Sequence, residues 1–116
     1  MVAVASAQSV PLPDTPQGRA AREHIVAFNS GDAATWIAVV EKYASSAALN
    51  RRSRQQRLDG YREARELFPD LTAREIVRSS SRELDIATHT ADGRHALWIF
   101  VFEPGEFAKV AAISWQ

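Results

Sequence analysis

The sequence predicts an α+β domain in which three N-terminal helices pack on a four-stranded antiparallel meander. Three observations carry this. Apolar residues recur at helical spacing as far as Phe68, the mark of one buried helix face. After Asp70 the pattern changes to alternation, the period of a strand. Asp92-Gly93 then sits between two alternating runs, and this dipeptide favours a tight hairpin because glycine accepts positive φ.

Taken in order, residues 1–14 show no periodicity and end in Pro11-Leu12-Pro13-Asp14, an extended lead-in because each proline disfavours helix in the residue before it. Thr15-Pro16 reads as a cap followed by the first helical position. The first helix carries Ala21, Ile25 and Phe28 as its stripe, with His24 on the flank, and stops at Asn29-Ser30-Gly31. Asp32 caps a second helix bearing Trp36, Ile37, Val40 and Tyr43 on one face. Ser45-Ser46 break it, and Ala47 to Leu49 form at most one turn. A third helix runs from about Ser53 to Phe68, with Leu58, Tyr61 and Ala64 inward, and ends at Pro69-Asp70.

Four strands follow, at 71–79, 82–90, 95–103 and 107–115. The central one, His95–Glu103, is apolar on both faces and organises the rest. A two-residue turn at Asp92-Gly93 pairs Thr88 with Leu97, Ile86 with Ile99 and Leu84 with Val101. That register makes an aliphatic floor under the helices, joined by Glu75 and Val77 from the first strand. It leaves Trp98, Phe100, Phe102 and Trp115 on the opposite face with Asp85 and His89.

The chain has 116 residues, which suits one domain, here 15–116 behind a 1–14 leader. Fourteen basic and fourteen acidic residues cancel, so no global field draws nucleic acid or an anionic membrane. The absence of cysteine removes disulfides, thiol chemistry and thiolate metal sites, and no apolar run reaches the roughly 18–20 residues that span a bilayer. Met1–Gln8 is small and apolar, and Ala5-Ser6-Ala7 has the small-x-small form of a signal-peptidase site without a charged leading segment. The expectation is an export-signal remnant and a periplasmic or secreted protein; the alternative is a leader on a cytoplasmic one.

Leu12-Pro-Asp-Thr-Pro-Gln-Gly-Arg19, Phe28-Asn-Ser-Gly-Asp32 and the arginine-rich third helix resemble nuclear transport factor 2-like (SnoaL-like) domains, nearest to those beside bacterial serine hydrolases and tail-specific-type peptidases. The resemblance covers nearly all of 11–115. It implies a cone-shaped, cystatin-like roll, a pocket between helices and sheet, and pairing through the sheet face. Catalytic members of that superfamily hold an acid deep in the cone, and no residue here matches that constellation.

Glu75 is the one carboxylate that this register sets among aliphatic residues, where burial would raise its pKa toward acid/base use; the preferred reading is a strand-edge residue that reaches water. Asp85 and His89 share a strand face near Trp98 and could make an acid/base pair, or simply belong to a solvated face, which is preferred. Trp36, Tyr43 and Tyr61 are core residues that could also line a ligand pocket. Trp98, Phe100, Phe102 and Trp115 form the expected interface, since an apolar patch of that size is rarely left uncovered. The six arginines from Arg51 to Arg65 read as a solvated helix rather than a phosphate or nucleic-acid surface. His24, His89 and His95 lack metal-ligand spacing, so neither metal nor cofactor is expected. The resulting expectation is a non-catalytic domain that binds a small apolar ligand or a protein and self-associates through its sheet. The alternative is an isomerase, dehydratase or hydrolase with a pocket carboxylate as general base.

Overall fold

The computed structural model describes residues 10–105 and 107–116; the signal-like run at 1–8 lies outside them. Helix α1 spans Pro16–Asn29, and the Thr15 side chain accepts from the Gly18 amide at 3.0 Å. Its inner face carries Ala20, Ala21, His24, Ile25 and Phe28. The lead-in folds back on this helix: the Pro13 carbonyl lies so close to Gly18 that a Cβ there would meet it at 1.8 Å. Val10 and Leu12 pack against the core, and the Val10 amide donates to the Ala73 carbonyl at 3.0 Å. Gly31, at φ +73°, turns the chain out of α1, and Asp32 caps α2, Ala33–Tyr43.

Between α2 and the next helix the backbone extends. Ala44 forms an isolated parallel bridge with Val110, and the Ser45 amide donates to the Val110 carbonyl at 2.9 Å. Ser45 then caps a short helix α3, Ser46–Arg51, by accepting from the Ala48 amide. Helix α4, Arg54–Leu67, opens with a capping box between Ser53 and Gln56 and buries Tyr61. The described residues thus form four helices, not three; the segment expected to make at most one turn is long enough to be a helix of its own because Ser45 restarts it.

Strands β1 (Thr72–Ser79), β2 (Glu83–His89), β3 (His95–Phe102) and β4 (Val110–Trp115) form an antiparallel sheet in the order β1-β2-β3-β4. This corrects the expected cone-shaped, cystatin-like roll. The sheet is an open meander, neither closed nor curled, and its two outer strands do not pair with each other.

The register of the central hairpin also differs from expectation, by one residue. Thr88 pairs with Ala96, Ile86 with Trp98 and Leu84 with Phe100. The loop has three residues, Ala91–Gly93. It is closed by Thr90 N–H to Arg94 O at 2.8 Å and Gly93 N–H to Thr90 O at 3.1 Å, with Gly93 at φ +90°. That is the type I turn plus left-handed bulge residue of three-residue hairpins. One residue of slip exchanges the faces of a strand, so the aromatic face of β3 is the one under the helices. Trp98, Phe100 and Phe102 are each 0% exposed, whereas Leu97, Ile99 and Val101 are half-buried on the outer face. In β1, bulges between Ala73 and Glu75 and between Ile76 and Arg78 keep Ala73 and Ile76 on the inner face. They turn Glu75 outward beside Ala87, and Val77 is exposed as well.

The core is therefore aromatic. Phe28 meets Trp98 edge-on at 5.4 Å between ring centroids, and Trp98, Phe100 and Phe102 stack successively along β3 at 5.6 and 6.4 Å. Offset and edge-on contacts of this kind add to the stabilisation from area alone.

Candidate functional site

Helices α2, α3 and α4 leave a cleft over the far edge of the sheet. Its volume is about 200 Å³, and its walls include Val40, Leu49, Tyr61, Val110, Ile113 and Trp115. The bridge from Ala44 to Val110 fixes one side, because it ties the end of α2 to the start of β4. Trp36 and Tyr61 stack at 5.5 Å with their planes 18° apart. Tyr61 is held there by donating its hydroxyl to the Phe28 carbonyl at 3.2 Å. Trp115 stands edge-on to Trp98 at 5.2 Å. Gly60, on α4, borders the cleft with no side chain to fill it.

His24 also borders the cleft and is 1% exposed, with the rings of Trp36, Tyr43 and Phe100 within 5.8 Å. Its Nδ1 lies 2.7 Å from the Ala20 carbonyl. A carbonyl only accepts, so Nδ1 carries the proton, and Nε2, which has no partner among the described residues, presents a bare lone pair. Burial pushes the imidazole down to about 4, against the opposing pull of the Ala20 bond and of Glu23. At neutral pH His24 is an uncharged hydrogen-bond acceptor.

Three guanidinium groups stand around the same cleft: Arg51, Arg52 and Arg57. Arg51 Nη2 donates to the Ala111 carbonyl. Arg57 Nη1 donates to the Arg52 carbonyl at 2.6 Å, its Nη2 lies 3.9 Å from Glu41, and its buried Nε has no partner among the described residues. Among the described residues, no aspartate or glutamate lines the cleft.

The residues singled out from the sequence fall in three places. Trp36 and Tyr61 line the cleft, and Trp115 joins them on its wall rather than on an outer face. Tyr43 packs on His24 but donates its hydroxyl to Glu23, which also takes a 2.9 Å bond from Lys42. The two donors hold the Glu23 carboxyl below its usual range, Tyr43 first. Trp98, Phe100 and Phe102 lie buried on the inner face beneath the helices rather than on the outer face.

Glu75 is exposed on the outer face. Asp85 pairs across the outer face with Arg78 and Ile99, whereas Trp98 opposes Ile86 on the inner face. Asp85, His89 and Trp98 therefore do not form one constellation. Asp85 is 8% exposed, and burial, followed by its neighbour Glu83, raises its pKa against the pull of Arg78.

His24 and the arginines were not marked by the sequence as a site. His24 stands three residues after Ala21 and four before Phe28, a spacing that already puts it on the buried stripe. The arginines gave no such signal, because their approach to the cleft depends on the α3–α4 corner.

Among the described residues, no group of His, Asp or Glu is placed to hold a metal ion, and no helix is long and apolar enough to cross a membrane. The architecture is that of a SnoaL-like fold. A crystal structure of a SnoaL-like protein of unknown function from Burkholderia thailandensis matches it with a TM-score of 0.53 and 22% identity, over 91% of this chain and 99% of that one. At that identity the likeness carries fold and not chemistry, and it does not single out the hydrolase- or peptidase-associated subgroup. Neither a family model nor a curated protein matches the sequence.

Proposed function

We propose that this is a small-molecule-binding domain whose cleft takes a single-ring apolar ligand. The observation that carries the reading is an aromatic-walled cleft whose lining residues hold three buried polar atoms without a partner among the described residues: His24 Nε2, which can only accept, and the donors Arg57 Nε and Trp115 Nε1. Buried polar atoms without partners are uncommon and raise the question of what satisfies them. A ligand hydroxyl or amine would do so here. A cavity of about 150 Å³ suffices for a benzene-sized molecule, so about 200 Å³ suits one substituted ring. A pocket carboxylate acting as general base finds no support, because the lining residues supply none.

The test is a titration with 4-methylphenol, read by tryptophan fluorescence from Trp36 and Trp115. Saturable quenching with a dissociation constant of roughly millimolar order is expected for so small a ligand. Gly60→Leu, which grows a side chain into the cleft, should abolish it while thermal unfolding stays cooperative. Quenching that never saturates, or that survives Gly60→Leu, would sink the proposal.

The reading includes self-association through the outer sheet face. It is supported by the half-buried aliphatic strip of Leu97, Ile99 and Val101.

A further inference from the structure

We infer that the single apolar ring carries a carboxylate substituent: the ring lies in the cleft, and the charged end reaches out of it to Arg52 and Arg57. This rests on the ligand-binding reading above and narrows it to a chemical class. The cleft combines two environments that rarely meet by accident. Its floor and walls are aromatic and aliphatic, while among the described residues its lining carries three guanidinium groups and no carboxylate. The imbalance is local, because the whole chain has equal numbers of acidic and basic residues.

Two of the three cations are available. Arg51 is tied to the Ala111 carbonyl and serves to pin α3 to β4. Arg52 Nη2 lies over the backbone of Gly60, 3.7 Å from where a Cβ would stand, which places this head group beside the cleft wall. Arg57 is anchored by Nη1 on the Arg52 carbonyl, which fixes the plane of its guanidinium, and its only carboxylate contact among the described residues is the 3.9 Å approach of Glu41. Its Nε is buried and unpartnered. Planar guanidinium groups match a carboxylate with paired hydrogen bonds, and beside an apolar wall such bonds are worth more than in open water. Glu41 also approaches Arg54 at 3.6 Å, so it is shared and leaves Arg57 incompletely neutralised.

The experiment compares 4-hydroxybenzoate with its neutral isostere 4-hydroxybenzamide on the same protein by calorimetric titration, so that both carry the hydroxyl that His24 Nε2 would accept from. 4-Hydroxybenzoate should bind about tenfold more tightly, the equivalent of one charge-assisted hydrogen bond. Arg52→Gln, at an exposed position, should remove most of that preference, read as the ratio of the two affinities measured on the same variant. Arg57→Gln should do the same, with circular dichroism confirming the fold. Equal affinities for the two rings, or a preference that survives both substitutions, would overturn the anion inference while leaving the apolar cleft standing. If neither ring nor 4-methylphenol binds, both readings fall.

Discussion

At the scale of single residues the most informative group is His24. An imidazole 1% exposed, ringed by aromatics and pushed down to about 4, makes stability depend on pH. The unfolded chain takes up the proton near the ordinary value of about 6.5, whereas the native state resists it until about 4. Protons therefore bind the unfolded state in excess between those limits, and stability is full above pH 6.5 and falls as the pH drops toward 4. The loss across the window is of the order of 3 kcal/mol. Asp85 acts in the opposite sense: its raised pKa lets the native state gain a proton first, which offsets part of the loss at the acid end. Urea unfolding at pH 7.5 and pH 5 should show the difference, and His24→Phe should flatten it. An unchanged slope in that variant would mean that the acid sensitivity comes from elsewhere.

At the scale of elements, sequence and structure agree where short-range chemistry decides. Thr15-Pro16, Asp32 and Ser53 start helices as their capping chemistry requires, and the first three strands fall within a residue of where the alternation begins and ends, whereas the fourth begins at Val110, three residues later than expected. Disagreement enters where a single residue carries the information. Asp92-Gly93 serves a two-residue or a three-residue loop equally well, and β3 is apolar on both faces, so its own pattern gives no way to choose between registers. The choice is made by volume. The space under α1 and α2 holds the rings of Phe28, Trp36 and Tyr61, and the faces of Trp98 and Phe100 complete that packing.

The cleft was half legible for the same reason. Trp36 and Tyr61 follow from helical spacing, but Trp115 follows only from the correct register and the arginines only from the α3–α4 corner. Helix α4 also shows a concession to the cleft. Gly60 is mid-helix without positive φ, and a Cβ there would meet only Arg52 Nη2 at an ordinary 3.7 Å. Gly60→Ala should therefore stabilise the protein by about 0.5–1 kcal/mol, a rise in Tm of roughly 3–5 °C. A fall in Tm would show that the wall at Gly60 is closer than this geometry allows.

At the scale of the whole molecule the question is what covers the outer face of the sheet. The four described helices lie on the Trp98 side, so among the described residues no helix stands above Ala87, Leu97, Ile99 and Val101. The face is uneven. On β1 and β2 it carries Arg78, Glu83 and Asp85, with Arg78 Nε at 3.7 and 3.8 Å from the two carboxylates. Covering that end would desolvate three charges, which costs more than loose ion pairs return. Toward β4 it carries Ala112 and Ser114 opposite Val101 and Ile99, small side chains that permit close approach. A second copy would therefore centre on β3 and β4 and leave the charged corner wet. Ile99→Arg places a charge in the middle of that strip, on a half-buried side chain able to reach solvent in the monomer. Sedimentation equilibrium should show the natural protein as a dimer and this variant as a monomer with an unchanged Tm. Trp98→Arg, one residue away but on the sealed face, should instead prevent folding. If the natural protein sediments as a monomer at high concentration, or if Ile99→Arg leaves a dimer intact, the sheet face is not the contact between copies.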